Sequence, residues 1–286
     1  MLYRATHITR YKYDQPVATS LNEARLTPRS LPWQRVLASA LVFEPEPVVR
    51  EHRLDYFGNQ VMAFSVFQSH DLFTATATSI VEVQPRLIDN LPAVAWEDVR
   101  LHLSSHLDDE SLRAYEFIFD SPFVPLSPEL AAYAKPSFPA GRPLADAVKE
   151  LSHRIYTEFL YKPKSTSIET PLAQVLRARR GVCQDFAHVL IGAIRSLHLA
   201  ARYVSGYLRS GEDVTGSEAS HAWVSAFIPG YGWLDLDPTN DVIPSEGHIT
   251  LAWGRDYGDV PPFKGISLGG GGHRIEVDVK VQPIAS

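Results

Sequence analysis

Apolar and polar positions alternate in short runs over the first third of the chain: Tyr3 to Tyr13, Leu21 to Thr27, Val36 to Phe43, Pro47 to Leu54, Gln60 to Phe67 and Leu72 to Val83. A period of two in runs rich in Val, Thr and Tyr, cut by Pro, Gly or polar clusters, predicts strands. Gln15-Pro16 marks a turn, and Gly58-Asn59 reads as the tip of a hairpin. Short strands at this spacing suggest an antiparallel β-sandwich over residues 1–85. The period is then lost. Prolines at 122, 125, 128, 136 and 139 leave room only for short helices, Asp108 to Phe117 and Pro128 to Ala134, so 86–140 reads as a linker region.

From residue 142 the spacing lengthens to three and four. Leu144, Ala147, Val148, Leu151, Ile155 and Phe159 make one helical face, with Pro143 at its first turn. Pro171 to Arg179 is a shorter helix with Arg177 and Arg179 in its last turn, as the helix dipole favours. Val182, Phe186, Val189, Leu190, Ile194 and Leu197 repeat the helical period. Strand-like runs return at 200–208, 220–228, 232–236 and 249–254. Helices followed by antiparallel strands predict an α+β core over 141–265. Gly269 to Gly272 is a flexible bend, and the alternation of Ile275, Val277, Val279 and Val281 closes the chain (266–286) with a half-buried strand, return to the N-terminal sheet being one option.

Composition narrows the partners. The chain has 286 residues, 45% of them hydrophobic, 21% charged, and a net charge of -6. That gives no basic field for nucleic acid or anionic membrane. No stretch approaches the roughly 18 apolar residues of a membrane span. The first residues lack the apolar run and small-residue cleavage site of a signal peptide, so a cytoplasmic protein is expected. A single cysteine cannot form an internal disulfide.

That cysteine is where the chemistry concentrates. Cys183, in Gly-Val-Cys-Gln-Asp-Phe-Ala-His (181–188), stands where a helix should begin, and a helix N-terminus favours thiolate over thiol. A lone cysteine is also often just a small buried hydrophobe. A nucleophile needs a base, and the base an anchor. Of eleven histidines, His221 opens a strand, and Asp235 and Asp237 end the next one. A hairpin through Pro229-Gly230-Tyr231 brings the two ends together. Period two puts both acids on one face; Asp237, across from His221, is the better orienter.

Three blocks, Gly-Val-Cys-Gln-Asp-Phe-Ala-His at 181–188, Ser-His-Ala-Trp-Val at 220–224 and Gly-Trp-Leu-Asp-Leu-Asp-Pro-Thr-Asn at 232–240, resemble the signature blocks of the transglutaminase-like superfamily, in its bacterial cysteine-peptidase-like branch. The N-terminal β region and the segment Gly254 to Val260 resemble what flanks the core there. The resemblance implies a papain-related α+β core with nucleophile Cys183, base His221 and acid Asp237, acting without a cofactor.

The implied reaction is acyl transfer through a thioester, with the Cys183 N–H and one further donor meeting the oxyanion. Tyr161 is the candidate for that donor, against its reading as a core-edge tyrosine. Gln184 is turned about 100° away along the helix. Trp223 is either core or a shield for the thioester; Arg255 and Asp256 either line the cleft or belong to a solvated turn. His188 reads as packing. No Cys or His spacing suits a metal. Hydrolysis of a peptide or amide bond is the leading expectation. Amine acylation, as in a transglutaminase or an amide-ligating enzyme, and a non-catalytic binding module are the alternatives. Specificity should lie in loops at 210–219 and 257–268, which carry no readable code; oligomeric state is equally unread.

Overall fold

The computed structural model describes residues 1–86, 88, 90–105, 108–211, 214–216 and 219–284. Five antiparallel strands open the chain: β1 (Leu2–Ala24), β2 (Gln34–Glu44), β3 (Val49–Leu54), β4 (Gln60–Val66) and β5 (His70–Val83). The sequence places a turn at Gln15-Pro16. Instead β1 runs through it, with its register shifting on either side of Val17. A bulge of this kind bends a strand without ending it. The bend lets β1 serve two layers. Its first half pairs with β5 on one side and β13 (His273–Pro283) on the other. Its second half pairs with β4 and with β12 (Phe263–Gly269). The sheet thus curls onto itself as an antiparallel sandwich, closed by Phe43 of β2 stacked on Phe64 of β4 with ring centres 4.1 Å apart.

The sequence pattern does not predict β12, which turns half of the expected rim loop at 257–268 into a strand. Its side chains are mostly exposed, so neither hydrophobic alternation nor burial marks it. The other expected rim loop, 210–219, lies partly outside the described residues, at 212–213 and 217–218.

The stretch 86–140 holds α1 (Trp96–Ser105), α2 (Asp109–Tyr115) and α3 (Pro128–Ala134). Asp108 and Ser127 cap the latter two by accepting from the N–H three residues on, a local signal that was legible. The stretch is nevertheless no loose connector. Val99, Leu103, Phe117, Val124 and Leu130 are all buried in the main core.

The α+β core follows with α4 (Leu144–Glu158), β6 (Leu160–Tyr161), α5 (Leu172–Ala178), β7 (Arg180–Gly181), α6 (Cys183–Arg195), β8 (Ala201–Leu208), β9 (His221–Ile228), β10 (Gly232–Leu236) and β11 (His248–Gly254). Sheet order is β10-β9-β8-β11. Every residue of α6 from Asp185 on is buried, between the sheet on one side and α3, α4 and α5 on the other. Among the described residues no helix is long and apolar enough to cross a membrane.

Candidate active site

The start of α6 is built to hold Cys183 still. Val182, extended, precedes the helix, and its N–H donates to the Asp185 carboxylate (2.8 Å), which also accepts from the Thr166 hydroxyl (2.6 Å). Burial pushes the Asp185 carboxyl up, and those two hydrogen bonds pull it back. The folded-back carboxylate leaves no room at 181: a Cβ there would lie 2.5 Å from Asp185 Oδ2, which is why glycine precedes the helix. Cys183 itself is half-buried and free. Its N–H belongs to the first turn, where α-helical geometry provides no acceptor.

Tyr161 reaches the same place by the short parallel pairing of β6 with β7, Tyr161 opposite Gly181. Burial, with Cys183 and Asp237 nearby, pushes its phenol up to about 12. It therefore remains a protonated donor over the neutral range. Gly216, at φ +86°, passes over the pair. A Cβ on it would stand 2.9 Å from His221 Nδ1 and 3.7 Å from the Tyr161 hydroxyl oxygen. Those two polar groups therefore converge on one spot.

His221, first residue of β9, is buried, and its Nε2 lies 2.8 Å from Asp237 Oδ2. An ionised carboxylate only accepts, so Nε2 carries a hydrogen whatever the charge of the ring, and Nδ1 is the nitrogen that gains or gives up the second proton. Nδ1 is buried and, apart from Cys183, has no hydrogen-bond partner among the described residues. Burial works against the imidazolium. Asp237 and Cys183 outweigh it and hold the ring's pKa up at about 10. Asp237 is equally buried; that opposes its charge, but His221 holds it well below the usual carboxylate range. Its Oδ1 accepts from the N–H groups of Thr239 (2.9 Å) and Asn240 (3.3 Å). Its Oδ2 accepts additionally from Asn240 Nδ2 (2.9 Å) and His248 Nε2 (3.2 Å).

The hairpin register differs by a step from the sequence picture. Leu236 pairs with Val224, so Asp237, just past the strand, stands diagonal to His221 rather than straight across. Asp235, on the same face, is taken by Arg86 and Ser225. Trp223, two residues along from His221, stacks beside its ring (6.2 Å, 29°) and is fully buried.

Residues 3–82 match the bacterial transglutaminase-like N-terminal region, and 132–238 match the transglutaminase-like superfamily. An uncharacterised Mycobacterium tuberculosis protein is 40% identical across 98% of this chain and 92% of its own length. One from Mycobacterium leprae is 35% identical across 99% of each. The chain belongs to the transglutaminase-like superfamily. A crystal structure from Cytophaga hutchinsonii, described as that of a candidate cysteine protease, shares the fold. Its TM-score is 0.76 at 21% identity, covering 98% of this chain and 90% of that one. A Pseudomonas aeruginosa protein-glutamine gamma-glutamyltransferase is 27% identical over 107 residues, 35% of this chain and 16% of its own.

Within this transglutaminase-like frame the two residues read as either cleft or turn, Arg255 and Asp256, both make contacts of a turn. Asp256 is buried, accepting from Phe123 N (2.9 Å) and from Gly258 N (2.8 Å), where it caps a 3₁₀ turn. Arg255 is half-exposed and paired bidentately with Asp259. Both shape the turn that carries Tyr257, whose N–H donates to His188 Nε2 (3.2 Å). His188, its pKa lowered by burial to about 4, is a neutral packing group between Phe123 and Tyr203. Gln184 is half-buried in the first turn of α6. Sequence reasoning missed Asn240, Tyr203 and His248. Asn240, three residues past the aspartate in a Pro-containing turn, was findable as a turn residue. Tyr203 is buried, and Cys183 is among the groups that raise its pKa. Nothing in a strand sequence separates it, or His248, from ordinary packing.

Proposed function

We propose that the protein is a cysteine acyl-transfer enzyme that hydrolyses a peptide or amide bond, with Cys183 as nucleophile, His221 as base and Asp237 as orienter. The observation that carries this reading is the buried His221 ring, with Nε2 committed to Asp237 and Nδ1, beside Tyr161, kept for Cys183, which raises the ring's pKa by its charge and by a hydrogen bond. A buried imidazole without a thiol to serve would gain nothing from an open nitrogen.

With His221 held as imidazolium over the neutral range, its Nδ1 carries the proton that Cys183 gives up, and the thiolate adds to the substrate carbonyl carbon. The oxyanion is met by the Cys183 N–H and the Tyr161 hydroxyl. The intermediate collapses with cleavage of the C–N bond, and the amine leaves with the proton from His221. Water, deprotonated at the same nitrogen, then attacks the thioester carbonyl. The C–S bond breaks, releasing the acid and restoring the thiol.

The test is alkylation of Cys183 by iodoacetamide across pH. We expect rapid reaction in the wild type, lost in His221→Ala. An unperturbed thiol profile that His221→Ala leaves unchanged would sink the proposal. A library of peptides and amides, incubated with and without primary amines, then reads the acceptor. Product formed only with amine replaces hydrolysis by amine acylation.

A further inference from the structure

Asp237 carries more donors than orienting one base requires. Five N–H groups converge on its carboxylate, three of them on Oδ2. An ionised carboxylate offers about four lone-pair positions, two per oxygen. Four donors come from His221 and from the turn at 239–240. The fifth, His248 Nε2, comes from a strand separated from β9 by β8. Its approach is built into the sheet. Opposite His221 on β8 is Gly206, where a Cβ would collide with the Trp223 ring and with the Ile249 carbonyl. The absent side chain lets the Trp223 indole spread across β8 until its ring stands 5.3 Å from that of His248, edge to face. His248 is thus wedged, mostly buried, with Nε2 on Asp237. Since the carboxylate can only accept, that nitrogen carries the hydrogen.

We propose that His248 is a positioning residue that acts through Asp237, drawing off part of the carboxylate's hydrogen-bonding capacity so that His221 is held less tightly as imidazolium. This rests on the assignment of His221 and Asp237 above. A base that must hand its proton on to the leaving amine is slowed if its acid grips the charged form too firmly, since transfer is best when the donor's pKa lies near the working pH. Other titratable groups around His221 are Cys183 and Tyr161. Those around His248 are Tyr156, Arg209 and Glu246, which with Thr239 and Asn240 line a cavity of about 350 Å³. The donors on Asp237 named above include none of these three.

Two variants separate tuning from packing. His248→Phe keeps a ring against Trp223 and removes the N–H; His248→Gln restores a donor at similar reach. The ring titration of His221 is read directly by NMR of the histidine-labelled full chain, its signal assigned by loss in His221→Ala. Iodoacetamide reactivity of Cys183 is followed in parallel. In His248→Phe the His221 titration should rise by roughly half a pH unit or more, the differential worth of one hydrogen bond, and return toward wild type in His248→Gln. A purely structural histidine would lower thermal stability in both variants and leave the titration in place. An unchanged or lowered titration in His248→Phe overturns the proposal. If Cys183 alkylates as an ordinary thiol while the His221 titration still moves as stated, the hydrolase reading fails and the role of His248 stands.

Discussion

At the residue scale, the site is an exercise in keeping one nitrogen open. Asp237 does this by occupying Nε2 of His221, which fixes the tautomer as well as the ring plane. Asp237→Asn would keep the shape and reverse the chemistry. An amide nitrogen facing Nε2 favours the tautomer with its hydrogen on Nδ1, the wrong nitrogen to receive a thiol proton. We expect turnover to fall by about 10³- to 10⁴-fold with the fold intact. The iodoacetamide profile of Cys183 should move toward that of an ordinary thiol. An Asp237→Asn variant with wild-type thiol reactivity would show that the tautomer is set elsewhere. Tyr161 makes a smaller prediction. Tyr161→Phe removes one of the two proposed oxyanion donors and should lower kcat by about 10²-fold with KM little changed, in the range found for single donors. The positions proposed as nucleophile, base and acid are legible in the sequence as candidates because each stands in a compact local block. Choosing between Asp235 and Asp237 was harder, since both share a face; what distinguishes them in space is that Asp235 is taken by Arg86 and Ser225 while Asp237 meets His221.

At the element scale, β11 is the edge strand of the core sheet, and the N-terminal β region covers it with side chains instead of a strand. Gln34 donates to the Thr250 carbonyl (2.8 Å) and accepts from its N–H (2.8 Å). Asn59 does the same for Trp253, at 2.8 and 3.0 Å. Two carboxamides, each presenting one donor and one acceptor, therefore stand in for the missing neighbour and meet the hydrogen-bonding need of a buried backbone. Gln34→Ala leaves a buried N–H without its partner and weakens the satisfaction of a carbonyl. It should cost about 2 to 4 kcal/mol in urea denaturation. Faster amide exchange at Thr250 would localise the loss; a change within about 0.5 kcal/mol would contradict it. None of this could be read from the sequence. Gln34 and Asn59 are polar residues beside turns, and their partners lie about 200 positions away. Helices α4 and α6, by contrast, were legible because their own periodicity states which face is buried. The strand β12 was not, because after Phe263 its apolar side chains, Ile266 and Leu268, are exposed and leave no alternation to read.

At the scale of the whole molecule, the curled sheet and the α+β core share buried histidines whose protonation is tied to folding. His7 of β1 bonds the Tyr207 hydroxyl of β8 (2.9 Å) and Thr9 (2.8 Å). Burial lowers its pKa to about 4, and does the same for His188. Both bind a proton in the unfolded chain, near pH 6.5, that the folded protein refuses. The unfolded state therefore takes up more protons between pH 4 and 6.5, so stability rises with pH across that window. His221 has the opposite sign. Its folded value of about 10 lies above the unfolded value. Its contribution is complete below about pH 6.5 and is lost as pH climbs toward 10. Each group contributes a slope of at most about 1.4 kcal/mol per pH unit within its own window. Asp237, held low, adds an acid-side loss only below about pH 4. The thermal midpoint measured against pH should therefore pass through a maximum close to neutrality. In His221→Gln the alkaline decline from pH 6.5 to 10 should flatten while the acid limb persists. In His7→Gln the acid limb should become shallower and the alkaline one remain. A wild-type midpoint that keeps rising to pH 9 would mean that the His221–Asp237 charge pair does not stabilise the fold.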